Sequence, residues 1–370
     1  MKAVKTYFAP GRINLIGEHL DYNGGLVLPA AINMGIKLTV KPCNDDNVTL
    51  RSATHPFSIT INLKDELQYE AGQDWTNYPI GIIHHLKQEG TTLSGSELFY
   101  ESNLPEGAGL SSSAAVEIVT AFALLSQTKN QIDLVWLANF CKDVENNFIG
   151  VKCGIMDQYA VALGKKENAL LIDCATLKHE YVPLELNDYR LVIMNTKKPR
   201  SLIHSKYNER KAECEAALQL IKAAKPDTEN LANASPIYLD IIGDEILRKR
   251  AKHVVTENLR VKESVKALRY NDLSTFGRLM NASHASLRDD YEVSGIELDT
   301  LVEEAQKTNG CLGARMTGAG FGGCAIAIVH NSAFENFKQQ VSSKYVSVTG
   351  IQCEMYIAET ADGVKEISAG

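Results

Sequence analysis

The feature that most restricts how this chain can fold is the run Pro105-Glu106-Gly107-Ala108-Gly109-Leu110-Ser111-Ser112-Ser113-Ala114-Ala115, because it passes without a break into a stretch of good helix formers. Val116, Val119, Ala123 and Leu124 fall on one face of that helix, so it must pack on a core and hold its glycine-rich approach in place. Glycine lets backbone N–H groups close on a phosphate, and a helix start adds unpaired donors and the positive end of its dipole. The Lys that ends a G-x-x-x-x-G-K-[ST] loop is absent here. The charge of a triphosphate therefore falls to Mg²⁺ and to basic residues elsewhere, with the hydroxyls of Ser111 to Ser113 available to the metal. A helix cap on a flexible approach loop is the alternative reading of the same residues.

An anion has to be held by such local means. Lys and Arg total 38 against 45 Asp and Glu, a formal charge of −7 that gives no global pull toward nucleic acid or an anionic membrane. The 370 residues suggest two domains, taken as 1–180 and 181–370, meeting between the strand-like runs NALLIDC and YRLVIMN. The eight cysteines form no C-x-x-C pair or Cys/His cluster, so reduced thiols are expected. The first residues are too interrupted for a signal peptide, and no apolar run has the length of a membrane span. A cytoplasmic monomer, with no nucleic-acid or membrane partner, is the expectation.

Strand-like runs cover residues 3–8 and 26–41 around a polar loop, then start again at Val48, Phe57 and Glu97. Helical spacing marks Tyr78 to Leu86 and the series Leu134, Leu137, Ala138, Cys141, Val144 and Phe148, which ends near Gly150. Residues 201–309 read as a helical layer, and strands return at Cys324 and Gln352. Without regular βαβ alternation the pattern is α+β.

Three further segments carry chemistry. The loop from Pro10 to Gly25 places Arg12, Glu18, His19 and Asp21 close together, groups suited to reading sugar hydroxyls, though also ordinary in a solvated turn. In Gly150 to Gln158, Asp157 stands among small and apolar residues, either facing a reaction centre or capping a helix. Gly310 to Gly323 holds Arg315 in a glycine-rich run suited to backbone contact with a nucleotide, or to a tight turn.

Together these segments resemble the GHMP small-molecule kinases, most closely their galactose-phosphorylating branch. Residues 11–25 are similar to that branch's G-R-x-N-L-I-G-E-H-x-D-Y-N-G-G, 105–114 to P-x-G-x-G-L-S-S-S-A, 153–158 to C-G-I-M-D-Q and 313–324 to G-x-R-M-T-G-A-G-F-G-G-C. The resemblance implies a two-domain α+β fold of the GHMP kinase type, with mixed sheets, helical layers and an active site in the cleft between the halves. It implies MgATP-dependent phosphorylation of α-D-galactose at the C1 hydroxyl. By the same resemblance Glu18, His19, Leu20, Asp21, Gly154, Asp157 and Tyr207 form the sugar site, Tyr207 because residues 205–210 are similar to S-x-Y-N-x-R. Gly107, Ala108, Gly109, Leu110, Ser111, Ser112 and Ser113 would hold ATP, with Ser52 nearby, and Ser113 and Glu145 would position Mg²⁺. Asp157 would be the acid-base residue and Arg12 would stabilise the transition state. Leu20 stands where the family usually has Thr, and Lys211 where a second Arg is common. N-acetylgalactosamine and arabinose kinases share most of these motifs. Non-catalytic sugar-sensing relatives lack the Ser-Ala pair that is Ser113-Ala114 here.

Overall fold

The computed structural model describes residues 3–105, 107–128, 131–198 and 203–367. Strands β1 (Lys5–Asn14), β2 (Leu26–Val27), β3 (Pro29–Pro42), β4 (Asn47–Ser52) and β5 (Ile59–Asn62) precede helix α1 (Asn77–Gln88) and strand β6 (Ser96–Ser102). Helices α2 (Ser112–Leu125), α3 (Leu134–Val144) and α4 (Met156–Leu163) follow, then strands β7 (Asn168–Asp173), β8 (His179–Pro183) and β9 (Tyr189–Asn195). The later chain runs α5 (Ile203–Ala224), α6 (Glu245–Arg269), α7 (Leu273–Asp289), α8 (Ile296–Lys307), β10 (Cys311–Thr317), β11 (Cys324–His330), α9 (Phe334–Thr349), β12 (Glu354–Ala358) and β13 (Lys365–Ile367).

Three sheets result, ordered β13-β1-β3-β6-β4-β5, β10-β11-β9-β12 and β2-β7-β8. Every pairing is antiparallel except β4 with β6, so the fold is α+β as the pattern of elements implies. Helix α2 is buried almost all round and packs on β1 and β3; its alanines at 114, 115, 121 and 123 allow that close approach. Helices α7 and α8 cover β10, while α5, α6 and α7 pack on one another as a helical layer. Residue 180 lies inside β8, and β13 pairs with β1, so the end of the chain returns to the first sheet.

Three local expectations are corrected. Pro10 to Asn14 continues β1 instead of opening a loop, because a register shift between Pro10 and Gly11 lets the strand go on pairing with β3. Residues 156–163 form a helix that periodicity misses, since MDQYAVAL is buried on nearly every side and has no polar face. Half of the glycine-rich run from 310 is strand β10, and 318–323 bends from β10 to β11. No disulfide joins any of the eight cysteines, and among the described residues no helix is long and apolar enough to cross a membrane.

Candidate active site

A cavity of about 780 Å³ opens where the ends of β1, β4 and β6 meet the starts of α2, α4 and α5. Its construction begins at Gly11. A side chain there would strike Leu110 O, so only glycine lets β1 lie against the phosphate-type loop, where the Arg12 N–H donates to Leu110 O at 3.1 Å. Arg12 Nη1 then donates to Gly109 O at 2.7 Å, while its Nε and Nη2 grip Asp157 Oδ1 and Oδ2 at 2.8 and 2.9 Å. This two-toothed ion pair joins three segments far apart in sequence. Asp157 sits in the first turn of α4, where the helix dipole favours a carboxylate, and it keeps about a third of its side chain exposed to the cavity.

The glycine-rich loop lines the cavity from Gly107 through Ser113. Gly107, Gly109 and Ser111 all have left-handed backbone, with φ of 65°, 73° and 63°. Ser111 precedes α2 without a side-chain hydrogen bond to its first N–H groups, so the cap reading is not what is seen and the helix start is left facing the cavity. Opposite stands Glu145, where α3 passes into a π-turn closed by Gly150. Gln158 Nε2 donates to Glu145 Oε2 at 2.6 Å, the Cys153 thiol donates to the same oxygen at 3.3 Å, and the Ser113 hydroxyl bonds the carboxylate too. Burial pushes the Glu145 carboxyl above its usual range, and the charge of Asp157 adds to the rise. Behind it Glu117, fully buried, is pushed up strongly by burial and by Glu145.

The other wall carries the sugar-loop candidates. Asp21 lies against Gly154, where any Cβ would collide with the Asp21 carboxylate. Burial, and then the charge of Asp157, raise Asp21 from 3.8 to about 6. His19, at φ 65°, bonds Tyr22 Oη through Nδ1 at 2.9 Å, and burial lowers it to about 3, so its ring is neutral. The Tyr207 ring is 5.9 Å from His19 and 5.1 Å from Tyr22, and burial holds its phenol protonated. Glu18 also lines the cavity, but its Oε1 accepts from the Gly318 N–H at 3.0 Å and Oε2 is paired with Arg315.

All the residues that the resemblance assigns to the site, except Leu20, line this one cavity. Leu20 is the correction: its side chain is fully buried in the core beneath the loop, an apolar plug that fixes the loop from below. Arg315 does not line the cavity either, being fully buried between Glu18 and Glu257. Ser52 marks the far end, where its Oγ accepts from the N–H groups of Thr54 and His55. Around it Trp75, Tyr78, Tyr100, Ile36 and Leu104 build an aromatic and apolar chamber that sequence reasoning missed. Trp75, one of two tryptophans, was the available signal. The cavity therefore has three zones: a flat apolar end, a middle of helix-start N–H groups with a buried acid, and a polar end of carboxylates, imidazole and phenol.

Known families match the chain along its length. Residues 2–42 match the galactokinase galactose-binding signature, 77–165 the GHMP kinases N terminal domain and 264–347 the GHMP kinases C terminal domain. A galactokinase of Halalkalibacterium halodurans is 45% identical over 99% of this chain and 94% of that protein. One of Staphylococcus carnosus is 47% identical over 97% of this chain and 94% of its own length. The structure of Lactococcus lactis galactokinase complexed with galactose superposes with a TM-score of 0.94 at 45% identity, covering 99% of this chain and 96% of the other. A mevalonate kinase at 20% identity, with a TM-score of 0.70 over 98% of this chain and all of the other, shares the fold.

Proposed function

Since the chain belongs to the galactokinases of the GHMP kinase family, and so is an ATP-dependent sugar kinase, we propose that the cavity holds galactose and MgATP end to end and passes the γ-phosphoryl group to the sugar's C1 hydroxyl. The apolar chamber around Trp75 suits a purine base, and the N–H groups at the start of α2 suit the phosphates. Asp21, His19, Tyr207 and the backbone at Gly154 suit the sugar hydroxyls.

Mg²⁺ that arrives with a nucleotide takes one or two protein oxygens besides phosphates and water, and buried Glu145 beside the Ser113 hydroxyl fits that need. When bound it would neutralise charge on the β- and γ-phosphates. Asp157 would orient the C1 hydroxyl and receive its proton late, since phosphoryl transfer passes through a loose transition state that needs little help from a strong base. Arg12 would aim positive charge at the moving group while its bond to Gly109 O keeps loop and acid in register. Glu18, with both oxygens engaged, would act by pinning the Gly318 turn. The reading takes the enzyme as cytoplasmic, and as a monomer in that one chain supplies every group the reaction needs.

The observation that carries this reading is the Arg12 grip on Asp157 and Gly109 O, which ties sugar end to phosphate loop. Asp157→Asn should keep galactose affinity while turnover, followed by ADP release, falls at least about a hundredfold. Turnover near that of the wild type would overturn the role of Asp157.

A further inference from the structure

We propose that Gln158 is a positioning residue for the nucleotide's Mg²⁺, acting by fixing the Glu145 carboxylate; this rests on the reading of Ser113 and Glu145 as the cation's protein ligands. Gln158 is fully buried; its Nε2 donates to Glu145 Oε2 in a short bond of 2.6 Å, its amide also bonds the Glu117 carboxylate, and it makes a longer approach to Cys153 Sγ at 3.9 Å. The Cys153 thiol donates to the same carboxylate oxygen. Two donors on Oε2 set the rotation of the carboxylate about its last bond and leave Oε1 clear of both.

The placement is economical in chain. Gln158 directly follows Asp157 in the first turn of α4, so one helix start sets both the group that faces the sugar hydroxyl and the donor behind the metal ligand. On the other side of Gln158 stands Glu117, one helical turn beyond Ser113 on α2, so the amide is wedged between two buried acids that come from the two helices flanking the phosphates. Net of the desolvation of the groups involved, the amide's hydrogen bonds to two buried acids add only modest stability. What it supplies is orientation of a ligand, and outer partners of this kind are worth about 10- to 100-fold in metal affinity.

The test is calorimetric binding of ADP with Mg²⁺ and with a chelator, the ratio of the two affinities being the gain due to metal. Gln158→Met should cut that gain by about tenfold and leave galactose affinity and metal-free ADP affinity unchanged. Gln158→Asn, which keeps the amide but falls one methylene short, should lose the same. A full gain in both variants overturns the proposal; so does loss of galactose binding in both, which would make Gln158 part of the fold. Glu145→Ala separates the two levels. If the gain survives there, the metal reading itself is wrong, whereas if it vanishes there and persists in the Gln158 variants, only the positioning role fails.

Discussion

Asp21 shows how a single side chain can be unfavourable for the fold and useful for the site. Its carboxyl is buried against Asp157 and is raised to about 6, while in the unfolded chain it sits near 3.8. The native state therefore binds a proton more readily. Above pH 6 the group is ionised in both states and the folded protein carries the full cost, ~3 kcal/mol for a shift of this size. As pH falls from 6 toward 3.8 the folded state protonates first, and the cost disappears. Asp21→Asn should accordingly raise the melting temperature at pH 7.5, with the gain shrinking on acidification to pH 4. The same variant should weaken discrimination of galactose from glucose, because a buried acceptor left unpaired is what penalises the wrong hydroxyl. A gain that is constant with pH would mean that Asp21 titrates normally, and an unchanged sugar preference would remove it from the recognition set.

Among elements, the junction of β1 with the loop before α2 decides whether there is one site or two halves of one. A Cβ at position 11 would lie 2.7 Å from Leu110 O and 2.6 Å from Leu104 Cδ2. Gly11→Ala must push the strand off the loop, and with it Arg12 from both Gly109 and Asp157. A displacement of about 1 Å costs on the order of a hundredfold in rate, so kcat should fall far more than galactose affinity, measured by steady-state kinetics beside direct binding. Wild-type kcat would show that the loop simply follows the strand. Much of this junction was legible in the sequence: the glycine run, the serines and the helix behind them are read locally, and Asp157 and Arg12 are polar residues among apolar ones. The parts not legible have physical causes. Helix α4 is apolar on nearly all sides and so lacks a period, β10 is disguised by Gly313 and the glycines on either side of it, and Leu20 looks like a loop residue although it is a core one. The chamber around Trp75 is assembled from three separated stretches of chain, near residues 36, 75–78 and 100–104, each contributing one or two side chains with no local pattern to betray them.

For the molecule as a whole, what holds the sugar loop to the later half of the chain is a buried charge cluster rather than apolar packing alone. Glu257 of α6 accepts from the Gly17 N–H at 3.0 Å and from Arg260 Nε at 2.6 Å, bonds Ser283, and lies 3.8 Å from Arg315, which in turn pairs with Glu18. Arg315 Nη1 donates to Asn14 O at 3.2 Å, so one guanidinium reaches the end of β1, the sugar loop and the helical layer together. Although burial alone would raise Glu257, Arg260, His253 and Arg315 bring it down from 4.5 to about 2. Its folded value lies below its unfolded one, so it stabilises the fold fully above pH 4.5 and loses that contribution as pH falls from 4.5 toward 2. Glu257→Gln leaves buried cations short of a partner and should cost about 3–5 kcal/mol at pH 7, read from urea unfolding. The difference from wild type should narrow below pH 4.5, and galactose affinity should drop because Gly17 and Glu18 lose their anchor. If the cost is absent, or stays the same down to pH 3.5, the cluster is not what fastens the sugar end of the cavity, and the apolar contacts under Leu20 must carry that load instead.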